Sequence, residues 1–129
     1  MTAKGKFEVK MQPLEAYAAG KAGATLGRMS IDKTFSGDLE AVSQGEMLSA
    51  MTAVQGSAGY VAIEQVEGTL AGKAGTFILQ HFGTLEKGAD RLVLEVVPDS
   101  GTGELVGLAG TMQIIIEDGQ HFYAFEYKH

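Results

Sequence analysis

The sequence predicts an all-β fold: a closed antiparallel barrel of about eight strands, with residues 1–129 as a single β-barrel domain. Three observations lead there. No stretch sustains a 3.6-residue apolar period, whereas short alternating or β-branched runs recur between glycine-containing breaks. Eighteen glycines are scattered along the chain against two prolines, which suits many turns and bent strands better than a linker. The runs are evenly spaced and the breaks short, so neighbours should pair antiparallel, and closing the sheet removes its exposed edges.

The expected strands lie near 5–13, 25–35, 39–53, 58–70, 74–83, 91–98, 106–117 and 120–128. Between the first two, LEAYAAGKA (14–22) reads as a short helical turn or a loop. Ser36-Gly37-Asp38 suits a three-residue hairpin loop with glycine supplying positive φ. It sets Arg28 against Glu46 and Ser30 against Gln44 outside, with Met29, Ile31, Lys33 and Phe35 facing Leu39, Ala41 and Ser43 inside. A two-residue loop is the alternative and would swap those faces. Gly72-Lys73 suits a type II′ turn, which sets Val66 against Leu79 and Glu64 against His81 on an apolar face with Tyr60, Ala62 and Phe77. Asp118-Gly119 is a two-residue hairpin signal pairing Ile116 with His121, Ile114 with Tyr123 and Met112 with Phe125 on the core face, which Tyr127 continues. The pentapeptide AGKAG occurs at 19–23 and 71–75, and reads as two similar hairpin turns.

Composition excludes several classes. The absence of cysteine rules out disulfides, thiol catalysis and zinc ribbons, and fits a reducing, cytoplasmic setting. A formal charge of −6 with no Lys/Arg cluster argues against nucleic acid as a partner. MTAKGKFEVK lacks the apolar run of a signal peptide and no stretch approaches a membrane-spanning length, so no membrane partner is expected.

The glycine-rich stretch PDSGTGELVGLAG (98–110) resembles a phosphate cradle only superficially. A P-loop needs a lysine to reach the phosphates and a following hydroxyl for magnesium, and this stretch has no lysine. The dinucleotide fingerprint fails as well, since Gly101 and Gly103 are followed by Val106 with no βαβ unit around them. A barrel corner is the better reading, with Pro98 ending a strand and Ser100 or Thr102 capping a single turn. The three histidines, 81, 121 and 129, have no metal-ligand spacing, and no G-x-S-x-G occurs. Neither a metal nor any other cofactor is expected.

Glu64 and His81 are the candidate catalytic pair, because a desolvated carboxylate beside an imidazole can work as acid or base. Lys33 supplies a compensating charge if it faces inward. Lys33, Tyr60, Phe77, Tyr123 and Tyr127 are the candidate ligand contacts on the inner faces. A polar cluster that only holds register, and aromatics that only fill the core, are the competing readings.

The blocks KTFSGDLEAVSQGEML, GSAGYVAIEQVEGTLAGKAGTFILQH, VVPDSGTGELVGLAG and HFYAFEY, spread over nearly the whole chain, resemble an uncharacterised bacterial family of small proteins known as a domain of unknown function. That family is similar to the allene oxide cyclase type of barrel, calycin- or lipocalin-like in appearance, with eight antiparallel strands around an elongated apolar cavity. The resemblance implies a homo-oligomer. It also suggests for Glu64 a role like that of the glutamate with which plant allene oxide cyclase handles an epoxide, an analogy of fold and not of site. Three functions stay open: a barrel binding a small, largely apolar ligand, an isomerase or lyase using Glu64 and His81, and a structural oligomer with a filled interior.

Overall fold

The computed structural model describes residues 1–129. Eight strands follow one another: β1 (Thr2–Leu14), β2 (Thr25–Gly37), β3 (Leu39–Met51), β4 (Ala58–Leu70), β5 (Lys73–Glu86), β6 (Ala89–Val96), β7 (Ala109–Glu117) and β8 (Gln120–Lys128). Each pairs antiparallel with the next and β8 returns to β1, closing an up-and-down barrel. The all-β barrel expected from the sequence is the fold. The only helical element is one 3-10 turn, Gly103–Leu105. Residues 14–22 form no helical turn: β1 runs to Leu14 and an exposed irregular loop follows. No helix is long and apolar enough to cross a membrane.

Two hairpin registers differ from expectation, both by two residues. Between β4 and β5 the turn is Ala71-Gly72, with φ of 49° and 85°, so that Leu70 faces Lys73, Glu64 faces Leu79 and Ala62 faces His81. Positive φ at both central positions is the type I′ pattern, whose twist matches the strands it joins, with glycine second and not first. Lys87-Gly88 and Asp118-Gly119 repeat it, and the latter gives the pairing expected for β7 and β8. Between β2 and β3 the chain reverses at Asp38 alone, so Ser30 faces Glu46 and Lys33 faces Ser43. The Asp38 N–H donates to Lys4 O and its carbonyl accepts from Ala71 N–H, which ties the reversal to the start of β1 and to the β4–β5 turn. A two-residue slip preserves the alternation of faces, so every inward assignment survives. The AGKAG repeat adopts two different conformations, one inside the loop after β1 and one at the turn after β4.

One end of the barrel is packed solid. Phe35, Leu39, Leu70, Phe77, Leu79 and Phe125 are at most 2 % exposed, and Phe77, Phe125 and Tyr127 stack with centroids 5.9 and 5.3 Å apart. Each such side chain contributes about 1.5–3 kcal/mol by burial. Tyr123 threads into this end, accepting from Leu39 N–H and donating to Ser36 O, both at 2.9 Å.

The glycine-rich stretch closes the weak seam between β6 and β7, which share a single ladder pair, Glu95 with Thr111. β6 leaves β5 after Val96 pairs with Leu79, so the first residues of β5 lack a strand on that side. The stretch supplies acceptors instead: Ile78 N–H donates to Ser100 Oγ, Thr76 N–H to Thr102 Oγ1 and Ala74 N–H to Glu104 Oε1, at 3.0, 3.0 and 3.1 Å. Thr102 caps no helix; its hydroxyl belongs to β5. Gly75 permits the approach, since a Cβ there would stand 2.0 Å from Thr102 O.

Candidate functional site

The opposite end of the barrel is hollow. A cavity of about 580 Å³ opens there, lined by residues of all eight strands, and Phe7, Val9, Ile31, Ala62, Leu92 and Ile114 are among the apolar residues of its wall. Ile116 and His121, expected on the core face, lie at this end, and Ile116 is well exposed. Tyr60, Asp90, Arg91 and His121 bring polar groups to the lining.

Four polar side chains stand between the hollow and the solid halves. Lys33 of β2, Ser43 of β3, Glu64 of β4 and His81 of β5 are all buried, Glu64 completely. Strand alternation puts each of them inward, and Gly45, opposite Glu64, lets β3 approach where a Cβ would lie 1.9 Å from Ile63 O. Glu64 is the hub. Its Oε1 accepts from Ser43 Oγ at 2.7 Å; its Oε2 accepts from Lys33 Nζ at 2.8 Å and from His81 Nε2. His81 is therefore a diagonal neighbour of Glu64 and not its direct partner, within reach because both side chains are long. The Lys33 ammonium also sits 4.9 Å from the Phe7 ring centre and 5.8 Å from that of Phe35, a cation–π seat.

Electrostatics fix the roles. Burial by itself raises the Glu64 pKa, but the hydrogen bond from His81, the charge of Lys33 and the remaining favourable contacts outweigh it and bring the carboxyl from 4.5 down to about 2. Glu64 is thus an anion at neutral pH with every oxygen engaged, a counter-ion and an orienting group. An ionised carboxylate only accepts, so His81 Nε2 carries a proton and donates it. That leaves Nδ1 without a protein partner. Every fully buried side-chain N or O has one, so Nδ1 opens on the cavity that His81 lines. Of the four polar residues, Lys33 and His81 line the cavity while Glu64 and Ser43 stand behind them. At the mouth, burial and then the Asp90 carboxylate push the Tyr60 phenol above 10.0.

Lys33, Glu64 and His81 are therefore brought together, and Tyr60 joins Lys33 and His81 in the cavity wall. Phe77, Tyr123 and Tyr127, expected as further ligand contacts, lie elsewhere, in the solid half with their faces and hydroxyl engaged by protein. Ser43, on the inner face of β3, completes the cluster without a sequence signal beyond its alternation, two residues from Gly45. Asp90 and Arg91 had a usable signal in Lys87-Gly88, which fixes β6 against β5. His121 had one in the Asp118-Gly119 hairpin.

The fold and the site together define a closed up-and-down β-barrel, half filled and half hollow, with an ion-paired cluster at the floor of the hollow. Residues 3–127 match the family described as "Protein of unknown function (DUF3224)", and the chain belongs to that family. It is similar to a protein of unknown function from the same family in Shewanella oneidensis MR-1, whose crystal structure was determined at 1.84 Å. The two are 65% identical, the match covers 99% of this chain and 96% of that one, and the TM-score is 0.97. No curated protein matches the chain.

Proposed function

We propose that the protein binds a small, largely apolar molecule inside the barrel, with the molecule's polar end against Lys33 and His81. The observation that carries this reading is the division of the interior. A filled barrel needs no buried lysine, glutamate and histidine at mid-height, and a cavity of about 580 Å³ is within the range of small-molecule sites. Apolar walls with a few convergent polar atoms at one end are the usual composition of such sites. The test uses the neutral apolar dye N-phenylnaphthylamine, whose fluorescence rises on leaving water. Wild type should enhance it, and Ala62→Trp, which fills the floor of the hollow, should abolish the effect while keeping the β-sheet circular dichroism. Equal enhancement by both proteins would overturn the proposal.

One observation favours a second reading, proton transfer. His81 has a carboxylate behind Nε2 and a free Nδ1 in front, the arrangement that orients an imidazole as a general base. In this reading His81 is the catalytic base and Glu64 the positioning residue, which narrows the pair expected from the sequence. Exchange of the hydrogens beside the carbonyl of 4-phenylbutan-2-one into D2O, accelerated by wild type and not by His81→Gln, would support it. No acceleration over buffer would leave binding alone.

A further inference from the structure

We infer that the polar end of the ligand is a weakly acidic O–H, a carboxylic acid or phenol, which enters the site with one proton shared between its oxygen and His81 Nδ1. The inference rests on the binding reading above and names the chemistry of that same cavity. The floor offers two unlike nitrogens. Lys33 Nζ has spent one N–H on Glu64 and can only donate; His81 Nδ1, with its Nε2–H committed to the same carboxylate oxygen, can accept. A ligand atom that satisfies both must accept from Lys33 and give a proton to His81.

Charge then selects among hydroxyl-like groups. An amine would set a second cation beside Lys33. An alcohol satisfies both nitrogens but stays neutral itself, so it adds no charge–charge attraction. An acid can transfer its proton: the ligand O–H breaks, an Nδ1–H forms, and the oxyanion is left between the Lys33 ammonium and the His81 imidazolium with the Glu64 anion behind them. The four charges alternate in sign, and bonds between charged partners are roughly twice as strong as neutral ones. An anion arriving without a proton would not be compensated, because Lys33 is already balanced by Glu64. The other ionisable groups in the lining are Tyr60 on β4, Asp90 and Arg91 on β6 and His121 on β8; β1, β3 and β7 contribute none.

The experiment compares three probes with one body, 4-phenylbutyrate, 4-phenylbutanol and 4-phenylbutylamine, by calorimetric titration from about pH 6 to about pH 9, a range spanning imidazole titration. The acid should bind at least about tenfold more tightly than the alcohol at neutral pH, in line with charge-assisted bonding, and the amine not measurably. Toward alkaline pH the acid's affinity should fall about tenfold per pH unit, the signature of one bound proton, while the alcohol's stays level. His81→Gln should remove this slope and bring the acid down to the alcohol. An acid that binds no better than the alcohol, a level acid profile, or a slope that persists in His81→Gln would overturn the inference and leave the cavity reading standing. If neither these probes nor the apolar dye enters the barrel, the cavity reading falls and takes the inference with it.

Discussion

Replacing Glu64 by Gln keeps the shape of the side chain and removes the charge that two buried donors need. The carboxyl is displaced from 4.5 to about 2, and at about 1.4 kcal/mol per pH unit this amounts to roughly 3 kcal/mol of stability linked to ionisation. Because Glu64 is completely buried, solvent does little to screen that figure. The sign follows from the direction: a carboxyl with a depressed folded-state pKa stabilises the fold above its unfolded pKa, and loses that contribution as pH falls through the window from 4.5 toward 2. Glu64→Gln should therefore be about 3 kcal/mol less stable than wild type at neutral pH, since Lys33 is left without its counter-ion. The difference should hold down to pH 4.5 and then close by up to about 1.4 kcal/mol per unit as the wild-type carboxyl takes up its proton. Urea unfolding of both proteins, followed by far-ultraviolet circular dichroism through that window, measures it. A neutral-pH difference below about 1 kcal/mol, or one that stays constant across the window, would refute the hub role assigned to Glu64.

Three further substitutions test the frame that carries the site. Gly72→Val should cost about 1–3 kcal/mol, because a β-branched residue resists the φ of 85°, whereas Ala71→Asn should stabilise by about 0.5–1 kcal/mol by easing the φ of 49°; thermal melts of the pair distinguish this turn from one centred on Gly72-Lys73. Thr102→Val keeps the volume but strips the acceptor from Thr76 N–H in an exposed hydrogen bond, and should cost about 0.5–1.5 kcal/mol with faster amide exchange confined to the first half of β5. Tyr123→Phe removes the hydroxyl that bridges Leu39 and Ser36, and should cost about 1–3 kcal/mol (roughly one buried hydrogen-bonding group) in chemical denaturation, without changing dye binding at the far end of the barrel.

Much of the site was legible because strand alternation has a period of two. A hairpin misplaced by two residues, as at Ser36-Gly37-Asp38 and Gly72-Lys73, still sorts each residue to the correct face. Lys33, Glu64 and His81 were thus placed inside although their partners across the ladder were not the ones expected. At Ala71-Gly72 alanine takes the first positive-φ position and glycine the second, as lysine and aspartate precede glycine at Lys87-Gly88 and Asp118-Gly119, which sets the register two residues from that of a turn with glycine first.

The all-β class, the strand order, the inward faces and the absence of a phosphate-loop motif were all determined by the sequence itself, because they depend on local periodicity and turn chemistry. Only the tertiary structure decided which inward residues meet a packed interior and which meet an empty one. Phe77, Tyr123 and Tyr127 alternate as correctly as Lys33 and Tyr60, yet the first three fill one half of the barrel and the last two line the other. Height along the barrel depends on how eight strands are staggered around a closed circuit, and a two-residue register error at one hairpin shifts a side chain by about 7 Å along it. The same closure decided that Glu64 would be enclosed by Lys33, Ser43 and His81, from three other strands, and left with no surface on the cavity.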